Sequence, residues 1–246
     1  MNTIWWILII LVLLVLFTLF IRFTIISAFN RRTEILNSSL FTDTHAHLRT
    51  LLACLTDAFK KHDITEWWLD SGSILGHVRH DGFIPHDDDI DIVVLIKEDT
   101  LEKLNKCYAY IKETYPQFKI GKTISVADAQ LSVMPEDRTL FSLGIFIDIF
   151  YVNEKDGIIK PNSASMILWP KGYYYTESTF PLKEVEFEGS LVNVPADCKK
   201  YLFQMYGRDC LTKMTIDHLH CTKSILDGLA IHWTKPFPIY YQKNIK

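Results

Sequence analysis

The sequence lacks the features of several common protein classes. Its 29 Asp and Glu residues outnumber 26 Lys and Arg residues, which gives a formal net charge of −3 at pH 7. No basic stripe stands out, and this argues against a nucleic-acid partner. The five cysteines form no CxxC pair, so they do not make a zinc ribbon. The chain also has no internal repeat and no low-complexity segment.

The odd number of cysteines leaves their oxidation state open. An oxidising lumen would allow disulfide bonding among Cys198, Cys210 and Cys221. Buried thiols are an equally weighted alternative.

The composition does supply enough apolar surface for a folded core. Hydrophobic residues make up 48% and charged residues 22% of the 246 positions. This balance argues against global disorder. The length fits one membrane anchor followed by one domain.

A cluster of carboxylates marks the stretch from Trp68 to Leu95. Four acids fall between Asp87 and Asp91, and their mutual repulsion is costly unless a cation binds there. The apolar, mainly β-branched run at 92–94 indicates a buried strand. If Asp89 and Asp91 open that strand, its period of two places both carboxylates on one face. Such a pair suits an oxygen-preferring ion, Mg²⁺ or Mn²⁺.

The residues just before this cluster indicate an anion-binding element. A short apolar strand at 67–69 leads through Gly72 and Ser73 into a helical segment, Ile74 to Arg79. Glycine lets the backbone approach a ligand, and Ser73 is placed to cap the helix, whose first N–H groups then face an anion. A strand, Gly-Ser, a helix and then Asp-x-Asp on a second strand is the layout of the nucleotidyltransferase fold.

This stretch resembles the signature of the LicD family, which includes bacterial phosphocholine transferases and, more distantly, fukutin and fukutin-related protein. The segment that carries the resemblance is GSILGHVRHDGFIPHDDDID, residues 72–91. The similarity extends over about Leu69 to Gly207. The sequence departs from the pattern at His86, where many members carry Trp, and this puts the substrate packing beside the metal in doubt. Further matches are Phe146-Ile147-Asp148-Ile149-Phe150, Phe187-Glu188-Gly189, Val194-Pro195 and Tyr206-Gly207.

A third acid completes the predicted metal site. The run from Gly144 to Val152 is an apolar strand with one charge, Asp148, inside it. A lone carboxylate in such a strand is expensive unless it is paired. We therefore predict Asp89, Asp91 and Asp148 as ligands of one or two Mg²⁺ or Mn²⁺ ions, with a salt-bridged core aspartate as the alternative for Asp148.

The neighbouring polar residues have predicted substrate roles. Gly72 and Ser73 would contact phosphates, and Arg79 would clamp a phosphate bidentately or serve packing alone. Asp87 or Asp88 would act as the base on an acceptor hydroxyl, or would be an outer-shell partner of the metal. The titratable residues His80 and His86 lie nearby, although exposed histidines are the simpler interpretation.

The resemblance implies a CDP-linked donor and a glycan or glycoprotein acceptor. Three hypotheses follow. The first is a transferase that moves phosphocholine or ribitol phosphate from CDP onto a glycan. The second is a nucleotidyltransferase that leaves a nucleoside monophosphate on its acceptor, and the third is a non-catalytic scaffold on the same fold.

The apolar run from Ile4 to Ile21 predicts a transmembrane anchor. As a helix it would span roughly 27 Å at about 1.5 Å per residue. Trp5 and Trp6 suit the interfacial belt, and Arg22 closes the far end. The alternative is a cleaved signal peptide, for which only the weak site at Ser27-Ala28 fits.

The signals for orientation disagree. Arg22, Arg31 and Arg32 follow the apolar run and no Lys or Arg precedes it, which would place the domain in the cytosol. The resemblance implies a Golgi or ER membrane protein with a lumenal domain, and the glycosylation sequon at Asn37 supports the lumen. We favour the lumenal orientation.

We predict an α/β (α+β) fold in which a mixed sheet is flanked by helices, with the metal site at one end, after one transmembrane helix. The divisions are a tail (1–3), the anchor (4–21), a stem (22–42) and a LicD-like domain (43–246). Helices are predicted at 43–62, capped by Asp43 or Thr44, and at 98–115 and 195–206. His45 and His47 are predicted to be exposed. Strands are predicted at 118–126, 130–134 and 144–152, a hairpin at 185–194, and a loop over the site at 158–175.

Overall fold

A seven-stranded mixed sheet forms the centre of the protein in the computed structural model, which describes residues 6, 9–20, 22–23, 40–85, 87–121, 127–133, 145–161 and 165–212. The central path runs β1-β2-β5-β4-β3, and β6 and β7 extend it from β5. Strands β2 and β5 are parallel, while the other neighbours are antiparallel. The strands are β1 (Trp67–Leu69), β2 (Asp89–Leu95), β3 (Lys119–Gly121), β4 (Ala129–Val133), β5 (Ile145–Lys155), β6 (Ile158–Pro161) and β7 (Tyr174–Tyr175).

A separate hairpin and several helices surround this sheet. Strands β8 (Lys183–Phe187) and β9 (Ser190–Val194) pair only with each other among the described strands, and they turn at Glu188 and Gly189, as predicted. The mixed sheet with flanking helices confirms the predicted fold class. The helices are α1 (Leu40–Lys61), α2 (Ser71–His80), α3 (Thr100–Thr114), α4 (Ser165–Leu168), α5 (Thr176–Thr179), α6 (Cys198–Tyr206) and a 3₁₀ turn at Arg208–Leu211.

Helix α1 covers one side of the sheet with the apolar face that its spacing predicts. Leu48, Leu51, Leu52, Leu55 and Phe59 are all fully buried. The helix packs against α3, β4 and β5. This burial fixes α1 over the strands that carry the acidic residues.

Two glycines shape the turn that follows α2. A Cβ on Gly76 would lie 2.6 Å from the carbonyl oxygen of Gly82, so only glycine lets the helix and the turn approach this closely. The helix ends at Asp81, which adopts a left-handed conformation with φ 57°. The chain thereby doubles back and delivers Asp87 beside the start of α2.

Four helix starts differ from prediction, and the smallest difference is that of α3, which begins at Thr100 and was predicted from residue 98. Helix α1 begins at Leu40, so neither Asp43 nor Thr44 caps it. Helix α2 begins at Ser71 with Asp70 at the N-cap position, so Ser73 lies in the first turn and is not a cap. Helix α6 begins at Cys198 and is capped by the Asp197 carboxylate, which accepts from the Lys200 backbone N–H.

The predicted loop at 158–175 is largely regular structure. It contains β6, α4 and β7, and β6 pairs with the end of β5. The prediction of a loop over the site was wrong because an aromatic, Pro-containing segment can pair at a sheet edge. Tyr174, in this segment, is 3% exposed.

The structure describes only some of the residues on which the membrane and cysteine predictions rest. Within the described ranges, none of the helices has the length and apolar character that a membrane crossing requires. Residues 6 and 9–20 are helical, and the other residues of the predicted span lie outside the described residues. Cys54, Cys107, Cys198 and Cys210 are free thiols, whereas Cys221 lies outside the described residues.

Candidate active site

Three carboxylates converge where β2 begins. One carboxylate oxygen from each of Asp87, Asp88 and Asp89 lies within 4.8 Å of the others. Asp88 is 2% exposed, while Asp87 and Asp89 are half-buried. The chain therefore concentrates negative charge at the edge where β2 enters the sheet.

The sheet register adds two more polar side chains to this face. Asp91 on β2 pairs with Asp148 on β5, and Asp148 in turn pairs with Gln130 on β4. Paired positions on adjacent strands present their side chains on the same face. The Gln130 amide donates a 2.8 Å hydrogen bond to Asp148 Oδ1. A row of three polar groups thus crosses the sheet, and it brings the predicted ligands on β2 and β5 together.

The charges of four neighbouring acids act on the Asp91 carboxyl. Burial raises the pKa of its carboxyl well above the ordinary value of 3.8, and the charges of Asp89, Asp70, Asp148 and Asp87 raise it further. The fold thus opposes ionisation at this position. A bound cation would reverse that effect, because it favours the charged form.

Residues at the start of α2 hydrogen-bond with both the N–H and the carbonyl of Asp91. The Asp91 N–H donates to Ser73 Oγ at 3.0 Å, and the Asp91 carbonyl accepts from the Asp70 N–H at 2.8 Å. Ser73 is 4% exposed. The Ser73 hydroxyl oxygen, which we predicted to contact phosphate, therefore positions Asp91, and its phosphate contact stays a prediction.

Gly72 and His45 fix the position of Asp87. A Cβ on Gly72 would lie 3.1 Å from Asp87 Oδ2, which shows how closely the α2 backbone approaches this carboxylate. The His45 imidazole on α1 makes a 2.9 Å hydrogen bond through Nε2 with the Asp87 carbonyl, and its ring packs on Phe83. Burial lowers the pKa of His45. His45 is half-buried, so its predicted exposure was wrong, whereas His47 is exposed as predicted.

Glu188, at the β8–β9 turn, holds the segment that leads to Asp87. Its carboxylate accepts from the Phe83 N–H at 2.7 Å and from Arg49 Nε at 2.7 Å. The Glu188 side chain is 15% exposed, and the Arg49 side chain is 48% exposed. A partly buried carboxylate with two charge-assisted bonds is a strong anchor.

Replacing Glu188 with glutamine is expected to lower the free energy of unfolding by about 1–2 kcal/mol, because both hydrogen bonds lose the acceptor's charge. This corresponds to a fall in Tm of about 2–8 °C, measured by thermal unfolding. The control is Glu186→Gln on β8, two residues before Glu188, where the side chain is exposed and little change is expected. An equal loss in the two variants would contradict the anchoring role.

The remaining predicted substrate residues lie at the far end of α2. Arg79 is 8% exposed and donates from its terminal nitrogen Nη1 to the Cys210 carbonyl at 2.8 Å. Its Nε donates to His80 Nε2 at 2.9 Å. These contacts tie α2 to the 3₁₀ turn and account for both residues by packing, so their substrate roles stay predictions. His86 lies outside the described residues.

Several residues of this site escaped the sequence analysis. Gln130 gave one weak signal, a polar amide within a short apolar strand. His45 and Asp70 gave none, because each meets the site through a contact that is distant along the chain, and Glu188 was noted only in a family pattern. Tyr206 was also noted only in a family pattern.

The donor set fits a hard divalent cation. All the converging groups offer carboxylate oxygens, the ligands that Mg²⁺ and Mn²⁺ prefer. The charges of the neighbouring acids oppose ionisation at Asp91, and the Gln130 amide donates to Asp148 Oδ1. These carboxylates could therefore hold a divalent cation.

The fold places the paired acids of the parallel strands β2 and β5 beside the first turn of α2, which contains Gly72 and Ser73. Residues 64–197, more than half of the chain, match the family described as LicD/FKTN/FKRP, nucleotidyltransferase domain. The chain belongs to the LicD family, which confirms the resemblance noted in its sequence.

Two curated bacterial proteins are similar over the same length of chain. An uncharacterized protein of Rickettsia prowazekii is 30% identical over 134 residues, which are 54% of this chain and 44% of that protein. An uncharacterized protein of Rickettsia typhi is 31% identical over 134 residues, 54% of this chain and 37% of that protein. The matched part is less than half the length of either relative.

Proposed function

We propose that the protein is a membrane-anchored, metal-dependent transferase. It moves a phospho-alcohol, phosphocholine or ribitol phosphate, from a CDP-linked donor to a glycan or glycoprotein acceptor. Membership of the LicD family supports the phospho-transfer class. The observation that carries the proposal is the register between Asp91 and Asp148, beside the acids at 87–89.

Asp89, Asp91 and Asp148 would hold Mg²⁺ or Mn²⁺. When bound, such an ion neutralises the charge of a diphosphate and of the nucleotide that leaves. The row from Asp91 to Gln130 supports this assignment, since the Gln130 amide orients Asp148. Ligands held by a neighbouring hydrogen bond are the usual arrangement at protein metal sites.

Helix α2 would bind the donor phosphates. Its first turn carries backbone N–H groups that the N-cap side chain leaves unbonded, because Asp70 makes no capping bond. Unsatisfied N–H groups and the helix dipole favour an anion at this end. The absence of a side chain at Gly72 lets a phosphate approach that backbone.

Asp87 is the better candidate for the base on the acceptor hydroxyl. It is half-buried and accessible, whereas Asp88 is 2% exposed and is placed to serve as a supporting acid. The Asp87 backbone is fixed by the hydrogen bond with His45, and the α2 backbone packs against the Asp87 carboxylate. The proton of the acceptor hydroxyl would pass to this carboxylate as the acceptor oxygen attacks phosphorus.

The anchor and its orientation are part of the proposal. The apolar run at 4–21 would hold the domain at a Golgi or ER membrane, with the domain in the lumen. The sequon at Asn37 provides a test, because only a lumenal stem would carry an N-glycan there. Loss of mass on glycosidase treatment supports the lumen, and an unmodified, protease-accessible domain in sealed vesicles would place it in the cytosol.

The mass of the modified acceptor tests the reaction. The full chain is incubated with Mn²⁺, CDP-choline or CDP-ribitol and candidate glycans. We expect a gain of one phosphocholine or ribitol phosphate and release of CMP. A gain of CMP on the acceptor would instead establish a nucleotidyltransferase, and the absence of any product with any donor would favour a scaffold.

A further inference from the structure

Asp70, between β1 and α2, is a buried acid held by two tyrosines. It is 8% exposed, and its Oδ1 accepts from the hydroxyl of Tyr174 and from that of Tyr201, the latter at 2.6 Å. The two tyrosine rings stack with centroids 4.1 Å apart and 8° between their planes. Segments 104 and 131 residues downstream thus meet on one carboxylate oxygen.

The position of Asp70 is that of a helix cap, yet it does not cap. An aspartate at this position usually accepts an N–H of the first turn, which stabilises a helix by about 1 kcal/mol. Asp70 has the extended backbone of an N-cap residue but makes no such bond. Within the described part of the chain, both of its side-chain hydrogen bonds go to Oδ1 and Oδ2 accepts none. The tyrosines therefore hold the carboxylate in a place that the helix does not require.

That place is beside the predicted metal ligands. The Asp70 N–H donates to the carbonyl of Asp91 at 2.8 Å. Leu69, the residue before Asp70, pairs across the sheet with Ile92, the residue after Asp91. Negative charge at this point destabilises the fold by itself and attracts a cation.

We propose that Asp70 is a further acid of the cation site, and that Tyr174 and Tyr201 hold it there so that its charge strengthens divalent-ion binding beside Asp91. The inference rests on the proposed function for the presence of the cation, and it is independent of the CDP donor. Under this proposal, β7 and α6 supply the two tyrosines that hold Asp70 at a site formed by β2 and β5.

The test compares Mn²⁺ affinity in the full chain and its variants, followed by the electron paramagnetic resonance signal of free Mn²⁺. Asp70→Asn keeps the shape and removes the charge, and we expect the Kd for Mn²⁺ to rise about tenfold. The control is Asp128→Asn, a half-buried acid that accepts from the Tyr151 N–H, for which we expect less than a twofold change. An unchanged Kd in Asp70→Asn overturns the proposal.

Tyr174→Phe and Tyr201→Phe provide a second route, should the Asp70 variant fail to fold. Each removes one hydroxyl donor and keeps the ring, so we expect Mn²⁺ to bind severalfold more weakly. Two tyrosine variants with wild-type affinity overturn the proposal. If the wild-type chain binds Mn²⁺ while Asp70→Asn binds it equally well, this inference alone fails. If the wild-type chain binds no Mn²⁺, the proposed function fails with it.

Discussion

Replacing Asp91 with asparagine is expected to abolish transfer and to stabilise the metal-free chain. Loss of one group that neutralises transition-state charge typically lowers the rate by about 10²–10³-fold, and a lost metal ligand should cost at least this much. The free energy of unfolding should rise by about 1 kcal/mol, since the substitution removes a charge that the fold opposes. Chemical denaturation without metal measures the second effect.

The stability of the metal-free chain is also expected to fall as the pH rises. Because the pKa of Asp91 is raised in the folded chain, its favourable contribution is complete below about 3.8, the ordinary value. It is lost as pH rises through the raised pKa. The metal-free wild-type chain should therefore lose stability over this window, and Asp91→Asn should lose less. Full transfer in the variant, or a less stable variant at pH 7, would contradict the account of Asp91.

Replacing Gly72 with valine is expected to lower the transfer rate by about 10²-fold while the chain still folds. The Cβ alone would lie 3.1 Å from Asp87 Oδ2, so the branched side chain must displace that carboxylate. Displacing a reacting group by about 1 Å can lower a rate by this amount. The added side chain would also cover the helix N–H groups that are proposed to meet the phosphates.

The matched control is Gly121→Val on β3, where an added Cβ meets no atom within 4 Å. We expect that variant to retain transfer and stability, since valine suits a strand. Steady-state rates and Tm values for both variants separate the local effect from a general one. Equal transfer by the two variants would show that Asp87 tolerates displacement and is not the base.

The centre of the site was predictable because its signals are local. One continuous stretch of sequence contains β1, then α2 with Gly72 and Ser73, and then β2. Asp89 and Asp91 lie on one face of β2 because side chains in a strand alternate. Asp148 was predictable for a different reason, since a lone carboxylate in an apolar strand needs a partner. The parallel pairing of β2 with β5 then brings it opposite Asp91.

The supporting residues were not predictable because their contacts are distant along the chain. His45 meets the carbonyl of Asp87 from α1, and Glu188 meets the N–H of Phe83 from the β8–β9 turn. No periodicity or motif records such a pairing. Ser73 shows the converse problem, since a serine after a glycine suggested a cap, and the fold uses its oxygen to hold the Asp91 N–H.

The site also explains why the start of α2 was misplaced. Capping residues are usually recognised by an oxygen side chain before an apolar run, and Ser73 matches that pattern. The actual N-cap residue, Asp70, turns its carboxylate towards Tyr174 and Tyr201 and leaves the cap unmade. A local rule fails here because the carboxylate accepts from two tyrosines that are distant along the chain.

The thermal stability of the full chain in detergent, with each metal and nucleotide added, tests the central claim most directly. We expect Mn²⁺ or Mg²⁺ together with CDP to raise Tm by about 5–10 °C at a hundredfold excess over Kd, and GDP or UDP to add little to the effect of the metal alone. A shift that needs both metal and CDP would support a metal-dependent site for a CDP-linked donor. No shift with any metal or nucleotide would contradict it, and would leave the cluster of acids at 87–91 unexplained.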